Sequence, residues 1–251
     1  MTKRQNLESS SISWHLSNIS KSLLNICTNI NHFLLSQDCL LCGTSSGQEL
    51  LCDACFTHLP YHVGHQCPVC ALPSPDSCVC GKCLRNKPFF DGTFAPLRYE
   101  FPIDAIVHAL KYGNKLAIAP LLGQLIIDSV HALPKPDVLI PMPLHVDRLR
   151  QRGFNQSSEI ANRISRQLNI PVSHGCQRIR ATSSQASLSL EERAANLKGA
   201  FQCDDTVKGL RVAVVDDVMT SGSTLNELSR TLKKQGAMEV SAWVVARTLM
   251  D

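Results

Sequence analysis

The spacing of the cysteines constrains this chain more than any other feature. Nine of its twelve cysteines fall between Cys39 and Cys83, and only Cys27, Cys176 and Cys203 lie outside. Cys39 and Cys42 are followed after nine residues by Cys52 and Cys55; Cys67 and Cys70 are followed, again after nine, by Cys80 and Cys83. The second set repeats the first at an offset of 28 residues. A Cys-x-x-Cys turn presents two thiolates to one ion, and zinc prefers four soft ligands in a tetrahedron. The eight cysteines therefore predict structural zinc, one or two ions, with the pairing of the motifs left open. Cys78 is spare. Residues Met1–Ser13 are polar and lack the apolar core of a secretory signal, so a reducing cytoplasm is expected, where clustered cysteines mean metal more often than disulfides.

The block is a poor grip for nucleic acid. Between residues 39 and 83 Lys82 is the only Lys or Arg, against Glu49, Asp53 and Asp76. Binding a phosphate backbone needs many cations. The whole chain, 251 residues with a formal net charge of +4, does not announce a nucleic-acid partner either. Its 44% apolar content is enough for a core, and 18% charge argues against disorder. The longest apolar stretch, Leu116–Ile127, is broken by Pro120, Gly123 and Gln124, so no membrane span is expected.

Three segments follow from composition and periodicity. Residues 1–38 hold eight serines and form a leader, in which Ile19, Leu23, Leu24, Ile26, Cys27 and Ile30 line one helical face. Residues 39–88 form the cysteine module, and 89–251 an α/β domain. Ile103, Ile106, Val107 and Leu110 have helical spacing, as do Ile160, Ala161, Ile164 and Leu168 within 156–168. Asp137–Pro143 reads as a short buried strand stopped by prolines. Arg211–Asp216 is a continuous apolar strand, of the kind buried on both faces of a parallel sheet, and a helix from about Thr224 to Gln235 and the strand Val240–Ala246 follow it. Strands alternating with helices predict a doubly wound, mostly parallel sheet.

The strongest functional signal joins that strand to that helix. Asp216 and Asp217 close the strand, and Thr220, Ser221, Gly222, Ser223 and Thr224 lead into the helix. Small residues let successive N–H groups and hydroxyls meet a phosphate at the positive helix N-terminus. The adjacent carboxylates suit a ribose diol with Mg²⁺ nearby. Upstream lies a basic stretch: residues 145–180 contain seven arginines against Asp147 and Glu159. Pro143, His145, Arg148, Arg152, Arg178 and Arg180 stand out there as partners for a second anion. A cis Met142–Pro143 bond would help shape a tight anion loop. Residues 178–196 read as a loop able to close over a ligand.

The strand–loop–helix stretch resembles the 5-phosphoribosyl-1-pyrophosphate (PRPP) motif of type I phosphoribosyltransferases. The resemblance implies that Asp216 and Asp217 hold the ribose hydroxyls and that Thr220–Thr224 hold the 5-phosphate. With the four Cys-x-x-Cys pairs, Pro141-Met-Pro-Leu-His145, Arg152-Gly-Phe-Asn-Gln156 and Arg178-x-Arg-x-Thr-x-x-Gln185 in one order, the chain resembles the ComF family of competence-associated, amidophosphoribosyltransferase-like bacterial proteins. That resemblance implies a type I phosphoribosyltransferase fold, PRPP with Mg²⁺ as ligand, pyrophosphate as leaving group, and a role in natural transformation or the use of external DNA on the cytoplasmic side. Single-stranded DNA and the DNA-uptake machinery are the partners it implies. No acceptor and no general base can be named from the sequence, and a PRPP-sensing or DNA-handling module without turnover is the alternative.

Overall fold

The structure is a computed structural model describing residues 37–181 and 196–249. The leader helix expected from Ile19 to Ile30, and Thr182, Gln185 and the rest of the closing loop through 195, lie outside the described residues. Contacts divide the chain into two units, Met1–Thr57 and His58–Asp251. The second cysteine set shares the buried core of the α/β part. Cys67, Cys70 and Cys83 pack in the same buried cluster as Phe90, Met219, Leu225 and Val244.

In the first unit, β1 (Gln37–Asp38) pairs antiparallel with β2 (Ser45–Gly47), and α1 (Asp53–Thr57) follows. The second unit begins with its own cysteine knuckle and α2 (Gly81–Arg85). It continues through β3 (Gly92–Phe94), β4 (Leu97–Arg98), α3 (Ile103–Gly113), α4 (Ile118–Val130), β5 (Val138–Pro141), α5 (Val146–Arg152) and α6 (Gln156–Leu168). A two-stranded antiparallel ribbon, β6 (Cys176–Arg178) and β7 (Phe201–Cys203), precedes β8 (Arg211–Met219), α7 (Ser223–Lys234) and β9 (Glu239–Arg247).

The central sheet runs β3-β9-β8-β5, with β4 also paired to β9, and every pairing is parallel. Val212–Val215 of β8 are wholly buried, as a strand covered on both faces requires. On α3, Ile103, Ile106, Val107 and Leu110 turn one stripe inward, and Asn114 ends the helix in the left-handed region. Helices α4 and α6 approach closely at Gly123, where an added Cβ would stand 2.7 Å from Arg163 Cγ. Asn155 caps α6 by accepting from the Ser157 N–H and donates to the Met142 carbonyl, fixing where that helix starts beside β5.

Three details differ from the sequence reading. β8 does not stop at the carboxylates: β9 pairs with it as far as Met219↔Arg247, so Asp216 and Asp217 sit inside a strand held on one side. The Met142–Pro143 bond is trans, and Phe101–Pro102 is the cis bond among the described residues. Cys176 and Cys203, unassigned by the spacing, face each other across β6 and β7 and form a disulfide.

Candidate functional site: a phosphate loop, a basic wall and two cysteine clusters

The two cysteine sets close on themselves as consecutive pairs. Cys39, Cys42, Cys52 and Cys55 form one cluster, and Cys67, Cys70, Cys80 and Cys83 the other, with all sulfurs of a cluster within 4.8 Å of one another. Tetrahedral zinc at about 2.3 Å from each thiolate places sulfurs about 3.8 Å apart. The measured Cys42–Cys52 and Cys70–Cys80 separations, 3.7 and 3.6 Å, fit that ion. In the first cluster the backbone N–H of Cys42 leads the contacts that hold the Cys39 thiol down to about 6, which favours the metal-binding thiolate. In the second, the Cys80 N–H donates to the Cys67 sulfur at 3.3 Å. Cys78 is exposed and belongs to neither cluster.

The phosphate loop lies at the carboxyl end of the sheet, where open α/β folds place ligands. A cleft of about 180 Å³ there is lined by Asp216, Asp217, Thr220, Gly222, Ser223 and Thr224 on one wall, and by Pro143, Arg148 and Arg178 on the other. Gly222 has φ +81°, a conformation that favours glycine, and it caps α7. The Ser221 and Ser223 hydroxyls lie 2.9 Å apart, but Ser221 lines a different cleft, of about 380 Å³, on the cysteine-knuckle side of the loop.

The carboxylates are not equivalent. Asp217 is buried and its Oδ2 sits 2.5 Å from the Lys111 ammonium, which projects from the last turn of α3. Burial alone would depress Lys111; the Asp217 charge outweighs it and raises the ammonium above its ordinary range. Asp216 Oδ1 accepts from the Ser157 hydroxyl at 2.8 Å and from the Asp217 N–H at 2.9 Å. Burial, with the Asp217 charge next, pushes Asp216 up to about 7. Neither Lys111 nor Ser157 is legible as a site residue: Lys111 ends an ordinary helical stripe, and Ser157 is the second residue of a capped helix.

Arg178 projects from β6 over the Phe201 ring, and burial and then the neighbouring Arg148 charge lower its proton affinity. Two guanidinium groups brought together in this way favour an anion between them. The other basic candidates stand elsewhere. His145 caps α5 and pairs with Asp147, with Nδ1 3.2 Å from Oδ2. Arg152 lies over the Tyr112 ring and donates to Gln156 Oε1 at 2.5 Å. Arg180 is exposed and donates to the Lys198 carbonyl. None of these three lines the cleft.

Family models match two parts of the chain: a double zinc ribbon domain over residues 30–84 and a phosphoribosyl transferase domain over residues 155–249. The DNA utilization protein YhgH of Salmonella typhi is 37% identical over 158 residues, covering 60% of this chain and 70% of that protein. Competence protein F of Haemophilus influenzae is 36% identical over 159 residues, covering 59% of this chain and 69% of that protein. The chain belongs to the ComF family. A more distant member, competence protein ComFC of Bacillus subtilis, is 28% identical over 112 residues, 44% of this chain and 45% of that protein. The ComF chain thus joins a zinc-ribbon pair to a phosphoribosyltransferase fold, and among its described residues no helix is long and apolar enough to cross a membrane.

Proposed function

We propose that this ComF chain binds PRPP with Mg²⁺ in the cleft between the phosphate loop and the Arg148–Arg178 wall, and that it serves the handling of incoming DNA on the cytoplasmic side. One observation carries the reading: the paired carboxylates, the hydroxyl-rich helix N-terminus and two arginines from a separate part of the chain meet in a single cleft. The 5-phosphate is received by Thr220–Thr224, where N–H groups and the helix dipole favour an anion. The ribose hydroxyls donate to Asp216 and Asp217. Arg148 and Arg178 take the pyrophosphate and stabilise its charge as it departs. The hard carboxylate oxygens of Asp216 and Asp217 would suit Mg²⁺ brought with the ligand, which would supply further neutralisation of the pyrophosphate charge. Lys111 pairs with the Asp217 carboxylate, and Ser157 fixes the Asp216 carboxyl in the strand.

The DNA-handling part rests on the names of the relatives, DNA utilization and competence proteins. Direct contact with single strands is favoured by Arg150 and Arg180, which are exposed outside the cleft. The deciding experiment is calorimetric titration of PRPP and Mg²⁺ into the wild type and into Asp216→Asn/Asp217→Asn. Heat with the wild type and none with the double variant supports the site. No heat with the wild type makes the loop an inherited scaffold and leaves DNA handling to the arginines alone. Pyrophosphate release with added acceptors then separates transfer from sensing.

A further inference from the structure

Among the described residues the most buried cation does not line the cleft between the phosphate loop and the Arg148–Arg178 wall. Arg247, the last residue of β9, is 1% exposed. Among the described residues no carboxylate pairs with it. Its Nε donates to the Cys70 carbonyl at 2.9 Å. Its Nη1 donates to the carbonyls of Met219 and Thr248, each at 2.9 Å, and also to that of Thr220. One guanidinium thus ties a zinc-ligand residue to the two residues that open the phosphate loop.

The tie has a direction. Peptide groups are planar and trans, so each carbonyl and the N–H of the next residue point opposite ways. Drawing the Met219 and Thr220 carbonyls onto Arg247 turns the N–H groups of Thr220 and Ser221 away from it. The Thr248 N–H also reaches the Met219 carbonyl, at 3.0 Å, so this peptide is held twice. A buried cation also needs a counter-charge. The charges that act on Arg247 are those of Cys70, Cys83 and Cys80 in the second cysteine cluster, and a zinc ion held by four thiolates carries a net charge of about −2.

Other contacts seat the same knuckle. Thr93 of β3 donates its hydroxyl to the Val69 carbonyl at 2.7 Å, between the ligands Cys67 and Cys70. The Phe89 N–H donates to Asn226 Oδ1 in the first turn of α7 at 2.7 Å. The cluster is therefore braced against both ends of the loop, with Arg247 as the brace that carries charge.

We propose that Arg247 is a positioning residue through which metal in the Cys67–Cys70–Cys80–Cys83 cluster sets the conformation of the phosphate loop. Metal at that cluster and ligand at the loop then stabilise each other, and the effect is reciprocal. Naming the ligand as PRPP rests on the function proposed above; the coupling of metal to loop does not.

Backbone hydrogen exchange of the full-length protein tests the coupling without any ligand. In the zinc-loaded wild type the amides of residues 220–224 are expected to exchange slowly. Chelation should speed them at least fivefold while the amides of β5 stay protected. Arg247→Lys keeps the charge but loses the planar fork. It should show the fast loop with two equivalents of zinc still bound. Thr93→Ser, which keeps the hydroxyl bond to Val69, is expected to exchange as the wild type. A loop unchanged by chelation overturns the proposal, and so does an Arg247→Lys protein with a wild-type loop. If Arg247→Lys does not fold, the wild-type chelation experiment decides alone. PRPP titration of the same samples judges the functional reading separately: absence of binding in the loaded wild type removes PRPP and leaves the metal–loop result standing.

Discussion

At the scale of single residues, Lys111 and Asp216 divide the electrostatic work of the cleft. Lys111→Met leaves Asp217 buried beside Asp216 with nothing to offset either charge. Breaking a buried pair on one side costs about 3–5 kcal/mol. With the Lys111 side chain 21% exposed, the lower end, about 3 kcal/mol, is expected in urea unfolding at neutral pH. Part of it should return on acidification. Asp216 releases its proton near 3.8 in the unfolded chain and near 7 in the folded one, so between those values the folded state holds the extra proton. Its contribution to stability is full at low pH and falls as pH rises through that window. Ligand binding runs the other way, because the ribose hydroxyls need the ionised carboxylate. PRPP affinity should strengthen between about pH 6 and about pH 8, by at most about tenfold per unit below 7. A flat calorimetric profile would remove Asp216 from the ribose site.

These residues also mark where sequence reading ends. Asp216, Asp217 and Thr220–Thr224 are contiguous, so their chemistry is visible along the chain. Lys111 acquires its meaning only when α3 packs near β8, and Arg247 only when β9 meets the knuckle. Each is a lone cation at the end of an ordinary periodic element. Charge in a basic run does not fix direction either, and His145, Arg152 and Arg180 turn to a cap, a ring and a carbonyl.

At the scale of elements, the long pieces were legible because their periods are strong. α6 runs from Gln156 to Leu168, the span its pattern predicts. The two- and three-residue strands β3, β4, β6 and β7 carry no period to read. The extension of β8 past Asp216 depends on the length of its neighbour β9. The junction of β8 and α7 makes its own prediction. A Cβ at Gly222 would add left-handed strain of about 1–2 kcal/mol and stand 2.7 Å from the Met219 methyl. Gly222→Ala should therefore lower stability by about 1–2 kcal/mol and weaken PRPP by at least tenfold, since the strain sits in the loop itself. Equal affinity in the two proteins would mean that the phosphate is held elsewhere.

At the scale of the whole molecule, net charge misleads about partners. The formal +4 counts every cysteine as neutral. Two zinc tetrathiolates, each of about −2, cancel it, so the loaded protein has little overall attraction for a polyanion. Any grip on single-stranded DNA has to be local, and the arginines of residues 145–180 are the place for it. Arg148 and Arg178 face the cleft, whereas Arg150 and Arg180 are exposed. A contact of about three phosphates gives a slope of about −2 in the logarithm of affinity against the logarithm of salt, because single strands release about 0.7 counterion per phosphate. Arg150→Glu/Arg180→Glu should flatten that slope by about one and weaken retention of a labelled oligonucleotide at low salt, leaving PRPP titration unchanged. Retention with wild-type slope in the double variant would move the DNA contact to another face. No retention by the wild type even at low salt would confine the anion chemistry of this ComF chain to the cleft, where the only polyphosphate it meets is the one that the loop and the two arginines can enclose.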